Sequence, residues 1–166
     1  MKPKVLIIMG SDSDLPVMEE TEKVLREFRI PYDITIASAH RSPKRTVRLV
    51  KDAEKKGIEV IIAGAGSAAH LAGVIAAHTI LPVIGVPIDS PPLRGIDALF
   101  STVQMPPGIP VATMAIGKAG AKNAAIFAVQ ILRAKDTRLS KILEGYKKKM
   151  AEEVLKKAKS IRKKEG

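Results

Sequence analysis

Short runs of apolar residues alternate along this chain with longer segments in which apolar residues recur every three or four positions. Five short runs are predicted strands, and most of them are apolar enough to be buried on both faces, as strands of a helix-covered parallel sheet are. These predicted strands span residues 5–9, 32–38, 60–63, 83–86 and 111–116. The alternation predicts an α/β fold, a three-layer α/β/α sandwich with a parallel five-stranded sheet and right-handed crossovers.

Helix start and stop signals lie between these runs. Pro16 and Pro43 suit the first turn of a helix, with Ser42 as the cap before Pro43 and Ser13 or Asp14 near the first cap. Gly57 suits the end of the second helix. Four further helices are predicted over residues 69–80, 96–103, 119–133 and 139–163.

Positive charge is concentrated near the end of the sequence. Residues 1–132 carry 15 Lys and Arg against 12 Asp and Glu, whereas residues 133–166 carry 13 against 5, so the tail holds +8 of the total of +11. A solvated helix face accounts for this surplus most simply, and a polyanion-binding tail is the alternative. We predict one domain over 1–166, with a core at about 4–133 and an extra basic amphipathic C-terminal helix at about 138–164.

Composition excludes several classes of function. Cysteine is absent, which rules out disulfides, thiolate nucleophiles and Cys-ligated metals. Aromatic residues make up 3% of the chain, too few for a base-stacking surface, so we expect no nucleic-acid partner. The apolar run at 5–9 is too short for a membrane span and lacks a cleavage site, which predicts a cytoplasmic protein without a membrane partner.

Small and polar residues follow every predicted strand. Because the carboxyl ends of parallel strands lie at one edge of a sheet, where ligands bind, these loops can converge on one cleft. The loops span residues 10–14, 38–43, 64–70, 89–95 and 117–123.

The first two loops suit a phosphorylated ribose compound and a proton-transfer step. Ser11 and Ser13 offer hydroxyl donors at a helix N-terminus that favours an anion. Arg41 can bind a phosphate with two hydrogen bonds, and Asp14 can accept from ribose hydroxyls. His40 offers an imidazole, which can accept and return a proton. Simpler roles are open too: the serines and Asp14 can cap a helix, and His40 can be an ordinary loop histidine.

The third loop has two possible functions. Its Gly64-Ala65-Gly66 run lets backbone approach a ligand closely. With Ala69 and Asp89 it also loosely matches a dinucleotide-binding fingerprint, although it follows the third strand rather than the first. His70 and His78 are eight residues apart, which favours structural roles over a metal pair.

Five stretches together resemble one family, the N5-carboxyaminoimidazole ribonucleotide mutases of de novo purine synthesis, the class I phosphoribosylaminoimidazole carboxylase catalytic subunits. They are MGSDSD at 9–14, SAHRSP at 38–43, AGAGSAAHLAG at 63–73, GVP at 85–87 and VQMPPGIPVATMAIGKAGAKNAA at 103–125. They occur in order within about residues 4–133. The resemblance implies a flavodoxin-like sandwich, a homo-octamer with active sites at subunit contacts, and a reaction that needs no metal, ATP or organic cofactor.

The resemblance also implies roles for individual residues. His40 would be the general acid and base in an isomerase reaction, in which the N5-carboxylate leaves as carbon dioxide, is retained and is added to C4. The implied substrate-binding residues are Ser11, Ser13, Asp14, Ser38 and Arg41, with Gly64, Ala65, Gly66, Ser67 and His70 around the carbon dioxide.

This sequence departs from the family pattern at two positions. Ser67 stands where the second glycine of a pair is expected, and Ala72 stands where a proline is expected. Two alternatives to the mutase stay open: a direct carboxylase that uses free carbon dioxide, and a non-catalytic nucleotide-binding module of flavodoxin-like fold.

Overall fold

The computed structural model describes residues 2–162, in which the chain forms five strands and six α-helices. The strands are β1 (Val5–Met9), β2 (Tyr32–Ile36), β3 (Val60–Ala65), β4 (Val83–Pro87) and β5 (Ala112–Thr113). The helices are α1 (Leu15–Glu27), α2 (Pro43–Lys56), α3 (Leu71–Ala76), α4 (Ile96–Val103), α5 (Lys118–Arg133) and α6 (Arg138–Arg162).

All five strands pair in parallel in the order β2-β1-β3-β4-β5. In the centre of the sheet, Ile7 of β1 lies beside Ile34 on one side and Ile62 on the other. This order is that of the flavodoxin-like doubly wound sheet, so the predicted fold class is confirmed.

The core is built where the apolar runs are longest. Every residue of β1 and β4 is buried, and Ile61 and Ile62 of β3 have no exposed surface. β2 differs from these strands: none of its residues is fully buried, because it is an edge strand and only one of its long sides is paired.

Three elements are shorter than predicted, and one of them is β2, which ends at Ile36 instead of residue 38. Pro110 cannot donate to a sheet, and β5 keeps only two residues of the predicted 111–116. The predicted helix at 69–80 contracts to α3. Beyond its end, the Thr79 hydroxyl accepts from the Leu81 N–H at 3.0 Å and donates to Glu54 at 2.6 Å.

The helix signals at residues 43 and 57 are confirmed. Pro43 begins α2, and Gly57 ends it in the left-handed conformation with φ at 86°. The buried side of α2 is formed by Thr46, Val50 and Ala53.

The chain divides into two compact units whose boundary in the sequence falls between Ile131 and Leu132. The first contains the sheet, and the second contains α6, which is 25 residues long. The predicted end of that helix at 163–164 lies outside the described residues, and the prediction of one domain over 1–166 stays a prediction. Within residues 2–162, no helix combines the length and apolarity that a membrane crossing requires.

Candidate active site

A cavity of about 400 Å³ opens at the carboxyl edge of the sheet. Its walls come from the loops that follow β1, β2, β3 and β4. The lining includes every site residue expected from the sequence except Gly64: Ser11, Ser13, Asp14, Ser38, His40, Arg41, Ala65, Gly66, Ser67 and His70. The loop at 117–123 contributes no lining residue, so only four of the five predicted loops meet here.

The first wall is a capped turn. The Ser11 N–H donates to Asp14 Oδ2 at 3.0 Å, and the Ser11 hydroxyl accepts from the Ser13 N–H at 3.4 Å. This reciprocal pair is a capping box at a short 3-10 turn (Asp12–Asp14) that leads into α1. The capping role anticipated for Ser11 and Asp14 is therefore confirmed, and the same residues line the cavity.

Burial and hydrogen bonding shift the pKa values of the two carboxylates of this turn, Asp12 and Asp14, in opposite directions. Burial raises the pKa of Asp14 above its ordinary value of 3.8, and the backbone N–H of Ser11 opposes that shift. The Ser11 hydroxyl and then the Ser13 N–H lower the pKa of the exposed Asp12 below 3.8. At neutral pH the wall therefore holds an ionised carboxylate that burial disfavours.

We expect the Asp14→Asn variant to gain thermal stability relative to the wild type as the pH rises. A folded-state pKa above the unfolded value stabilises the fold below pH 3.8, and that contribution is lost as the pH rises through the raised pKa. Asparagine keeps an oxygen for the Ser11 N–H but cannot ionise. Scanning calorimetry from about pH 3.5 to about pH 7 should show the variant's Tm increasing relative to that of the wild type.

Asp12→Asn is the matched control, and its Tm relative to the wild type should change with pH in the opposite direction. The lowered pKa of Asp12 contributes stability that is present above pH 3.8 and is lost as the pH falls through the lowered value. The Tm of this variant should therefore decrease relative to the wild type as the pH rises. If both variants changed in the same direction, the opposed pKa shifts would be contradicted.

The second wall is the loop that follows β2, and its backbone is held by Ser38 and Ser42. The Ser38 hydroxyl accepts from the Arg41 N–H at 3.1 Å, and the Ser42 hydroxyl accepts from the Ser38 N–H at 3.0 Å. Ser42 precedes α2 as predicted, but its side chain closes this loop rather than bonding to the helix. The loop backbone is thus held by its own side chains while Arg41 stays exposed at the cavity.

Two imidazoles meet where this loop contacts the loop that follows β3. His40 Nε2 lies 2.7 Å from His70 Nδ1, and the rings are nearly perpendicular, at 86°. A contact of that length needs one donor and one acceptor, so a single proton lies between the two nitrogens. His70 directly precedes α3, whereas His78 is exposed two residues beyond α3 and does not line the cavity.

The loops that follow β3 and β4 together form the third wall. This wall contains Ser90, a residue that sequence reasoning missed. Its hydroxyl accepts from the Ser67 N–H at 3.1 Å and lies 3.5 Å from the Ser67 hydroxyl. Ser67 adopts the left-handed conformation with φ at 52°, which glycine adopts without strain. Ser90 follows β4 at the same sheet edge, and that placement is the signal that could have identified it.

Gly64 has a packing role in this structure, and its predicted role toward a ligand stays a prediction. It lies within β3, where a Cβ would be 2.5 Å from Met18 Sδ, so the glycine makes room for a core methionine. Asp89 is exposed and does not line the cavity. The loose dinucleotide fingerprint of the third loop therefore has no counterpart in the geometry.

The cavity combines hydroxyls, a guanidinium, a buried carboxylate and a histidine pair. Arg41 and the serines can bind a phosphate, and Asp14 can accept from sugar hydroxyls. The histidine pair can transfer a proton. Among the described residues, no group of three or more His, Cys, Asp or Glu is arranged to hold a metal ion.

Comparison with known proteins identifies the family. Residues 4–153 match the model of the family described as AIR carboxylase. The chain is 59% identical over 160 residues to an N5-carboxyaminoimidazole ribonucleotide mutase of Pyrococcus horikoshii, covering 96% of this chain and 89% of the relative. It is also 52% identical to a phosphoribosylaminoimidazole carboxylase of Saccharomyces cerevisiae, of which it covers 28%.

A solved structure extends the likeness to three dimensions. The crystal structure of Treponema denticola PurE superposes with a TM-score of 0.84 at 30% identity, covering 93% of this chain and 95% of that one. Sequence and structure agree over nearly the whole length, and the chain belongs to the AIR carboxylase family.

Proposed function

We propose that this protein is an N5-carboxyaminoimidazole ribonucleotide mutase, an isomerase of de novo purine (IMP) biosynthesis. It converts the N5-carboxylated ribonucleotide into 4-carboxy-5-aminoimidazole ribonucleotide. The observation that carries the proposal is the 2.7 Å contact between His40 and His70 in a cavity that also contains Arg41, Ser11 and Asp14. A proton-transfer group and an anion-binding group thus share one site.

Binding of the ribonucleotide is supported by the first two walls. The guanidinium of Arg41 and the hydroxyls of Ser13 and Ser38 suit a phosphate, because charge-assisted hydrogen bonds to phosphate are short and strong. Ser11 and Asp14 lie on the same wall and suit the ribose. Asp14 must be ionised to accept from two hydroxyls, a state that burial disfavours in the empty cavity and that sugar donors would stabilise.

His40 balances the protons of the reaction. The bond between the exocyclic nitrogen and the carboxylate carbon breaks, which releases carbon dioxide, and protonated His40 gives that nitrogen a proton. C4 then attacks the carbon dioxide, and neutral His40 takes the proton that C4 loses. His70 holds one ring nitrogen of His40 and so fixes the orientation of the ring during both transfers.

Retention of carbon dioxide is supported by the third wall. Ala65, Gly66 and Ser67 offer little side-chain volume, so backbone can enclose a small molecule there. The Ser90 hydroxyl holds the Ser67 N–H and limits how far this loop can open. The role of Gly64 is indirect, because it supports the start of this loop by packing on Met18.

Exposed apolar side chains support self-association, and we extend the proposal to a homo-octamer. Ile96, Phe100 and Val103 of α4 are 48%, 60% and 48% exposed, and their spacing puts them on one face of the helix. α6 separately exposes Met150, Val154 and Ile161. Nucleotide synthesis as the function supports a cytoplasmic location.

The direct carboxylase is the second candidate. The relative from Saccharomyces cerevisiae is named as a carboxylase, but its length exceeds this chain more than threefold, and the relative of similar length is named as a mutase. The carboxylase reaction is worth testing because Ser67, with its positive φ, stands where a glycine is expected in the loop proposed to enclose carbon dioxide.

An assay of substrate choice separates the candidates. We expect the protein to convert the N5-carboxylated ribonucleotide without ATP, and to form product with little isotope when labelled bicarbonate is in the buffer. Aminoimidazole ribonucleotide with bicarbonate should react far more slowly at the same concentration. Faster use of that pair, or full incorporation of the label, would assign the carboxylase reaction instead.

A further inference from the structure

Helix α2 carries the surplus positive charge of the sheet-containing unit. Pro43–Lys56 contain six Lys or Arg and two Asp or Glu, a net charge of +4. Residues 1–132 together have a net charge of +3, so everything else in that range sums to −1. The charge is therefore localised on one helix rather than spread over the surface.

Four of these cations form one row. Lys44, Arg48, Lys51 and Lys55 are spaced four, three and four residues apart, so they share one face of α2. With Pro43, Val47 and Asp52 they line a shallow groove of about 500 Å³. We call Lys44, Arg48, Lys51 and Lys55 the basic row. Arg45 is not part of it, because its guanidinium donates to the Ile36 carbonyl at 3.1 Å and to the Thr35 hydroxyl at the edge of the sheet.

The carboxylates of α2 lie toward the far end of the basic row. Asp52 approaches Lys55 at 3.8 Å, and Glu54 accepts a hydrogen bond from the Thr79 hydroxyl on another segment. Arg48 is one turn before Asp52, whereas Lys44 precedes both carboxylates by more than two turns. The end of the row nearest to Pro43 therefore has the strongest positive potential.

That end of the row adjoins the active-site cavity. Arg41 lines the cavity, and Lys44, three residues later, lines the groove. From Lys44 to Lys55 the helix rises by roughly 16 Å, at about 1.5 Å per residue. Since the Debye length is about 8 Å at physiological ionic strength, salt screens one end of the row from the other, and the Lys44 end is the one that follows Arg41 in the chain.

We propose that Lys44 and Arg48 form an electrostatic capture surface that speeds the approach of the anionic ribonucleotide to Arg41. The inference rests on the proposed function, under which the substrate carries a phosphate and a carbamate. A local positive field raises the rate of encounter with an anion without touching the reacting atoms. The expected signature is a salt-dependent kcat/KM with an unchanged kcat.

The test compares two double variants that remove the same charge at different distances. Lys44→Gln with Arg48→Gln removes the near pair, and Lys55→Gln with Lys56→Gln removes a far pair. At an ionic strength of about 20 mM, we expect the near pair to lower kcat/KM by roughly 3- to 10-fold and the far pair by less than about 2-fold. At about 500 mM the variants and the wild type should coincide.

A second probe keeps the test independent of turnover. Stopped-flow association of 4-carboxy-5-aminoimidazole ribonucleotide should slow in the near-pair variant at low salt, whereas the corresponding nucleoside without phosphate should be affected much less. The exchange Lys44→Arg with Arg48→Lys should restore the wild-type rate. Equal effects of the near and far pairs, an effect that persists at high salt, or a lowered kcat would each overturn the capture surface. Absence of turnover in the wild type would instead count against the proposed function.

Discussion

The His40→Asn enzyme is expected to bind the ribonucleotide almost normally and to lose roughly 10²- to 10⁴-fold in kcat. Asparagine has a similar size and retains hydrogen-bonding atoms, but it cannot accept and return a proton near neutral pH. The proposed reaction needs both steps, at the exocyclic nitrogen and at C4. Because the binding groups on the first two walls are untouched, the loss should appear in kcat rather than in the dissociation constant.

His78→Asn is the matched control for that experiment. His78 is exposed and does not line the cavity, so the same substitution should leave kcat, KM and Tm close to wild-type values. Rates should be measured with the N5-carboxylated substrate and affinities by calorimetry with the product. Turnover by His40→Asn within a few-fold of wild type would remove His40 from the proton-transfer step.

Much of the fold could be predicted from local sequence signals. The apolar run that became β1 is buried at every position, and Gly57 has the positive φ that its place after α2 suggested. The less regular elements could not be predicted, because they depend on long-range contacts. Beyond the end of α3, for example, Thr79 bonds to Glu54, 25 residues away, and no pattern within residues 69–80 indicates that contact.

The loops that form the candidate site could be predicted from the sequence, but the contacts between their side chains could not. Parallel topology alone places the loops after β1, β2 and β3 at one edge, which brings Ser11, Arg41 and Ser67 to one cavity. The contact between His40 and His70 joins loops 30 residues apart and depends on side-chain rotamers. The same limit explains why Ser90 was missed.

The stretch at residues 117–123 contains a glycine that the packing of the chain requires. The loop does not line the cavity, and Gly120 is buried near the start of α5. A Cβ at Gly120 would be 1.6 Å from the Ala115 carbonyl oxygen and 2.6 Å from its carbonyl carbon. Both atoms are backbone, so they cannot move aside as a flexible side chain can.

Gly120→Ala should therefore cost roughly 3–5 kcal/mol of unfolding free energy, because the β5–α5 connection must shift to admit one methyl group. That loss corresponds to a decrease in Tm of about 6–20 °C for a chain of this size. Gly145→Ala is the matched control, since Gly145 lies in α6 with no atom within 4 Å of the added Cβ. Alanine there should leave Tm unchanged or raise it, because it reduces the conformational entropy of the unfolded chain. Thermal unfolding followed by circular dichroism would measure both, and equal Tm values for the two variants would contradict the close backbone approach at Gly120.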